Sequence, residues 1–284
     1  MASALVLGFA PVITSAAAKW VITNSSQIKP GAISYGNLSA AARAKLLGAT
    51  GATGPAGAPG SSGVTYDCSL TPYPGIDLVA CNFDGVNLNG ANLTGANLVN
   101  TSLVGTSLVG ASLGGANLSS AQAANVILTN ADLSVANLTL VSMEGADLSG
   151  ANLFAANFTD TDLNGANLTN ANLGGANLFG TEFNSSDLKG ATLTFTNMTY
   201  TELKGANLTG ANLFSAYMSV ADLTNANLTN ANLNMAYMVS ANLIGANLSG
   251  AIVTGANLSG VNTDVTTTCV DRIAGPCVGP GLTS

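Results

Sequence analysis

Four carboxylates in this chain, Asp162, Glu182, Glu202 and Asp222, follow one another at intervals of twenty residues. Such a series could draw a cation or a basic partner. Four cysteines, Cys68, Cys81, Cys269 and Cys277, form two pairs at the ends of a long repetitive stretch. They could make disulfides or, if chains associate, hold a metal ion. Histidine is absent, which removes any Ser-His-Asp or Cys-His arrangement. No glycine loop leads into Lys-Ser/Thr, and "GATGATGPAG" has neither that lysine nor a strand and helix around it. The residues therefore indicate no catalytic, cofactor-binding or metal site. The expected chemistry is recognition, and the chain is expected not to be an enzyme.

What must position these residues is a five-residue pattern. Between Ile76 and Gly260 the chain divides into 37 pentads without insertion, and the central residue is Leu in 28 of them. The exceptions are Phe, Met, one Val and Ala123. Two residues before the centre stands Ala in 25 pentads, and just before the centre Asn dominates. Five is neither the helical period nor the strand period. Five residues turn an α-helix through about 500°, which scatters the leucines around it. A flat strand would send alternate leucines to opposite faces. A short fixed period is the mark of a solenoid. With each pentad as one side of a coil, the centre and the residue two before it point inward. The other three then meet water.

Units such as "ANLTG" (91–95), "ADLSG" (146–150) and "ADLTN" (221–225) resemble the pentapeptide-repeat family, and the resemblance covers all 37 units. It implies an all-β fold, a right-handed quadrilateral β-helix with four pentads per coil. About nine coils, spaced by roughly 4.8 Å, make a rod of about 45 Å. Residues twenty apart then stack. One interior column is Leu from Leu88 to Leu248; a second is Leu from Leu93 to Leu233 and ends in Val253. Size changes gather in the other two. Ala123 leaves room there that Val126 and Ile127 are expected to fill in part.

On the outside the same stacking makes Asp162, Glu182, Glu202 and Asp222 an acidic stripe. It is either a face for a cation or basic partner, or a solvated stripe without a role. Tyr217 and Tyr237 stack on the neighbouring face, as a partner contact or simply as an aromatic ladder. A hydroxyl column, Thr129, Ser149, Thr169, Thr209, Thr229 and Ser249, is interrupted by Lys189. It could meet a crystalline or glycan surface. Some cytoplasmic members of the family imitate B-form DNA and bind DNA gyrase. Residues 76–265 hold twelve acidic and two basic residues, whereas about 26 phosphates line a duplex of that length. The imitation would be thin. The net charge of -7 also disfavours direct nucleic-acid binding.

Outside the repeat the chain reads as a series of segments. Residues 1–18 are an apolar leader, with a small-residue stretch near Ala18 like a signal cleavage site but no basic start. It is too short, and too interrupted by Pro11, for a transmembrane span. Residues 19–47 are a polar lead-in with one short helix. Residues 48–63 keep glycine at every third place. They form a flexible spacer or, through collagen-like pairing, an oligomerisation stalk. Residues 64–75 cap the solenoid of 76–265, and 266–284 close it. The rod separates the cysteine pairs, so two local disulfides, one at each end, are the expected pairing. "TTTCVDRIAGPC" resembles the C-terminal end of secreted bacterial members of the family. "SSQIKPGAISYGNLSAAARAKL" resembles N-terminal regions of bacterial envelope-associated proteins. Together these imply a secreted or envelope protein, a structural or interaction module with no cofactor. Its partner is an unnamed protein or surface. Self-association would use the Gly-rich segment or the solenoid ends. The alternatives are a cytoplasmic gyrase binder and a hydroxyl-face adhesion protein.

Overall fold

A computed structural model describes residues 68–69 and 71–270. The leader, the lead-in, the Gly-rich segment, part of the first cap and residues 271–284, with Cys277, lie outside them. No helix occurs among the described residues. The pairing is instead a series of parallel β-bridges, each joining a residue to the one twenty places later, from Asp77↔Asn97 to Asn242↔Asn262. Four pentads therefore complete one coil. We number its sides by their central residues: side 1 holds Leu78, Leu98 and so on to Leu258; side 2 Phe83 to Leu243; side 3 Leu88 to Leu248; side 4 Leu93 to Val253.

Each pentad contributes to two hydrogen-bond systems. Between coils, the Leu98 amide donates to the Asn117 carbonyl at 2.7 Å, and the Asn117 amide to the Ala96 carbonyl at 2.9 Å. Around the corner, the Ala96 amide donates to the Leu93 carbonyl at 2.9 Å. That bond closes a four-residue turn, Leu93 to Ala96, whose third residue Gly95 has φ of 65°. Positive φ at the third place alone defines a type II turn. The same place is positive in every pentad from 76 to 260, in 19 non-glycine residues as well as in glycines. The Gly, Asn and Ser that end so many pentads are thus a backbone requirement.

The interior is filled as the period requires. The central residues and those two before them are buried along almost the whole stack. Where Thr or Ser replaces the small apolar residue, its hydroxyl is paired. Thr181 donates to the Phe158 carbonyl at 2.8 Å and Ser186 to the Phe183 carbonyl at 2.7 Å. A buried hydroxyl so bonded escapes the desolvation penalty. At Ala123 the expectation divides. Val126 is buried, but Ile127 is 38% exposed and fills nothing. It occupies the place before the centre, which the coil turns outward. Met143, next above Ala123 in the side 2 column, is buried and has the adaptable shape that takes up such room.

Asparagine before the centre also does more than face water. The Asn137 amide nitrogen donates to Asn117 Oδ1 at 3.0 Å, one coil below. Asn137 Oδ1 accepts from the Thr139 amide at 3.2 Å and from the Thr139 hydroxyl at 2.7 Å. One side chain ties two coils and braces its own turn, the local bonding for which Asn is suited. Similar links join Asn172 to Asn152 and Asn232 to Asn212.

Both ends have distinct devices. Cys68, in the cap, and Cys81, at the start of the second pentad, form a disulfide. At the other end the stacking continues past residue 265. Asn247 pairs with Thr268, twenty-one residues away, after one extra residue in Val261–Thr266. Cys269 then takes the central, buried place above Leu248, and it is disulfide-bonded. Cys277, the one other cysteine of the chain, lies outside the described residues.

Candidate functional site

The acidic stripe exists as a ladder on side 2: Asp162 bridges Glu182, Glu182 bridges Glu202, and Glu202 bridges Asp222. Four carboxylates at coil spacing would repel. The column beside them, two residues along in each pentad, supplies donors. Asn164 donates to Glu182 Oε2 at 3.0 Å, and Asn184 to Glu202 Oε2 at 3.1 Å. Lys204 Nζ lies 3.2 Å from Glu202 Oε2 and 3.4 Å from Asp222 Oδ2. The donor column is itself zipped: the Lys204 amide donates to Asn184 Oδ1, and the Asn184 amide to Asn164 Oδ1. Glu182 is only 6% exposed. Burial alone would raise the Asp222 pKa, but hydrogen bonds from Thr224 and the Lys204 charge outweigh it and hold the carboxyl below its ordinary value. For Lys204, burial pulls downward, and Glu202 and Asp222 together raise it. The ladder is a braced acidic surface. Among the described residues no three acidic, cysteine or histidine groups are arranged to hold a metal ion.

Side 2 carries seven of the twelve acidic residues in 76–265, from Asp84 to Asp264. Beyond Asp160, sides 1 and 4 carry no charged residue as far as Gly260. They hold aromatic groups instead. Tyr217 and Tyr237 stack on side 1 with ring centroids 6.5 Å apart. At the corner of sides 4 and 1, Phe195 meets Phe214 edge-on at 5.6 Å. At the corner of sides 1 and 2, Phe179 meets Tyr200 at 5.6 Å. The two flanking pairs were not among the residues expected from sequence. Phe179 and Tyr200 stand 21 residues apart and Phe195 and Phe214 stand 19 apart, so the twenty-residue period does not pair them; each contact joins two adjoining columns.

The hydroxyl column of side 3 is largely occupied. Thr169, Thr209 and Thr229 donate to Asn167, Asn207 and Asn227 of their own pentads at 2.6–2.7 Å. Thr129 donates to Asp147 Oδ2 at 3.2 Å. These hydroxyls brace turns more than they present donors.

The family model for pentapeptide repeats matches in eight copies, over residues 76–115, 116–153, 156–194, 186–219 and 221–260. Among curated proteins, none matches. Among solved structures, the chain is similar to HetL, a pentapeptide repeat protein involved in heterocyst differentiation regulation from the cyanobacterium Nostoc. The identity is 32%, the match covers 72% of this chain and 93% of HetL, and the TM-score is 0.50. Rfr23, from the cyanobacterium Cyanothece, is 35% identical over 44% of this chain and 89% of its own, with a TM-score of 0.18. QnrB1, a plasmid-mediated fluoroquinolone resistance protein, is 18% identical over 66% of this chain and 91% of its own, with a TM-score of 0.32. With the five-residue period and the twenty-residue register, the family-model match and the similarity to HetL establish that the chain belongs to the pentapeptide-repeat family and folds as its right-handed β-helix.

Proposed function

We propose that this chain is a non-enzymatic interaction module, secreted or held at the cell envelope, whose side 2 receives a basic protein segment or surface. The observation that carries the reading is the sorting of outward residues by side. No loop enters the frame between Ile76 and Gly260, so a partner meets flat sides and not a cleft of the kind that small substrates need. Side 2 concentrates the acidic groups, and its bracing holds them in place before a partner arrives, which lowers the ordering cost of binding. The Cys68–Cys81 disulfide and the bonded Cys269 support an oxidising compartment. No helix among the described residues is long and apolar enough to cross a membrane.

The duplex-mimic reading has less support. DNA presents charge all round, whereas this solenoid places seven of its twelve acidic residues on side 2 and leaves sides 1 and 4 uncharged over half their length. The hydroxyl-face reading is weakened because the threonine hydroxyls are bonded to the asparagines of their own pentads.

Two measurements test the proposal. Glu182→Gln with Glu202→Gln should abolish capture of a lysine-rich peptide at low salt while leaving the melting temperature within a few degrees. Retained capture would sink the side 2 reading. Intact mass and N-terminal sequence should be taken from the medium and the cytoplasm of the native host. A chain starting near Lys19, outside the cell and lighter by the hydrogens of two disulfides, is expected. A full-length, reduced, cytoplasmic chain would overturn export and make a gyrase supercoiling assay the next experiment.

A further inference from the structure

Beyond Asp160, side 1 and its two corners form an uncharged aromatic surface across from side 3. We infer that it is the contact through which two copies of this chain pair. Phe195, Tyr200, Tyr217, Val220, Met235 and Tyr237 all point outward there, each between 42% and 61% exposed. Phe154 and Phe179 extend the surface toward the N-terminal end. A half-exposed ring offers about 100 Å². The apolar part is then roughly 600 Å², the upper end of what ordinary monomers expose. With the small polar residues between the rings it reaches roughly 800 Å², about what each partner contributes to a standard interface.

Charge selects the occupant. The chain carries a net -7, so two copies repel through most pairings of their surfaces. Side 2 would set one acidic ladder against another. Between Gly165 and Gly260, sides 1 and 4 have no charged residue. There a second copy meets no like charge, and a basic partner meets nothing to attract it. A flat parallel ladder is also suited to packing against its own image across a two-fold axis, where each patch is its own complement. This pairing is independent of what side 2 binds.

The experiment is sedimentation velocity on the full, disulfide-intact chain over a range of concentrations and salt. A species with the mass of two 28.0 kDa chains is expected, persisting at high salt because its contact is apolar. Phe195→Asn with Tyr200→Asn should weaken it at least about 100-fold. Both residues have positive φ, 58° and 61°, which Asn accepts better than an aromatic residue, so the variant keeps its fold. Ile127→Asn, on side 3, should leave the pairing unchanged. A chain that stays monomeric throughout overturns the inference. So does an association untouched by the side 1 variant, or one lost on deleting residues 48–63 or on raising the salt. A monomer that loads onto lipid vesicles or a polysaccharide through these residues also overturns it, and assigns the surface to that other occupant.

Discussion

Asn125 lies under Gly145, one coil away, so closely that a Cβ on Gly145 would fall 2.6 Å from Asn125 Oδ1. Both residues end a pentad and both have positive φ. The pairing recurs at Asn170 and Gly190, and Met235 lies under Gly255 in the same way. A long side chain at a corner is accommodated because the next corner has none. Gly145→Ala should therefore cost about 2 kcal/mol: about 1 for a Cβ in the left-handed region, and about 1 for displacing Asn125. Gly165, also with positive φ, has nothing within 4 Å of such a Cβ. Gly165→Ala should cost only about 1 kcal/mol. Urea melts of the two variants, and of Gly145→Ala combined with Asn125→Ala, compare them directly. Equal losses for the two single variants would show that the overlap costs nothing.

At Val135 the corner carries strain that glycine would remove. Its φ is 51° and its side chain is mostly exposed, so a β-branched residue occupies a left-handed turn with little packing in return. Val135→Gly should stabilise the solenoid by about 1 kcal/mol, the strain relieved exceeding the extra freedom given to the unfolded chain. A lower midpoint in denaturant would show that the Val135 side chain contributes packing that outweighs the strain.

Leu168 is fully buried in the side 3 column, where every central residue from Leu88 to Leu248 is leucine. Leu168→Ala should cost about 3 kcal/mol, because the fixed coil spacing limits collapse around the cavity. Leu168→Asp should prevent folding of the adjacent coils, since a buried carboxylate there has no partner. Circular dichroism and limited proteolysis report both. A Leu168→Asp chain as resistant as the parent would contradict the stacked core.

Acid and alkali should loosen side 2 for opposite reasons. The Asp222 pKa is held below its ordinary value in the fold. Its contribution is complete above the unfolded value of about 3.9 and is lost as pH falls through the folded one. The Lys204 pKa is raised from 10.5. Its contribution is complete below that value and is lost as pH rises through the folded one. Each group is partly exposed, so the effect should stay below about 1 kcal/mol. Asp222→Asn should flatten the acid limb of a stability–pH curve, and Lys204→Gln the alkaline limb. Unchanged limbs would mean that solvent screens the contacts.

Much of this architecture is legible in one dimension because the solenoid is nearly one-dimensional. Each pentad meets its neighbours in the chain and the pentads twenty residues away, so the leucine period alone separates inside from outside. The acidic ladder and the Tyr217–Tyr237 contact follow from the same sorting. Less legible were features in which one residue serves two coils. The asparagines before the centre are polar and outward, yet Asn137 bonds both Asn117 and Thr139. Pattern marks them as solvent-facing, and only the stacked coils show them as links. Ile127 turned out of the core because its place in the pentad outranks its hydrophobicity.

Sequence by itself determined the repeat, the buried columns and the grouping of like residues along each side, because those depend on a period. Tertiary structure decided three things that a period does not contain. It set type II geometry at the corners, which depends on how the backbone turns between sides. It set the bracing of Glu182, Glu202 and Asp222 by Asn164, Asn184 and Lys204, which depends on distances across coils. It also brought Phe195, Tyr217 and Tyr200 onto one surface, because residues from two corners and the side between them converge only when the chain is wound.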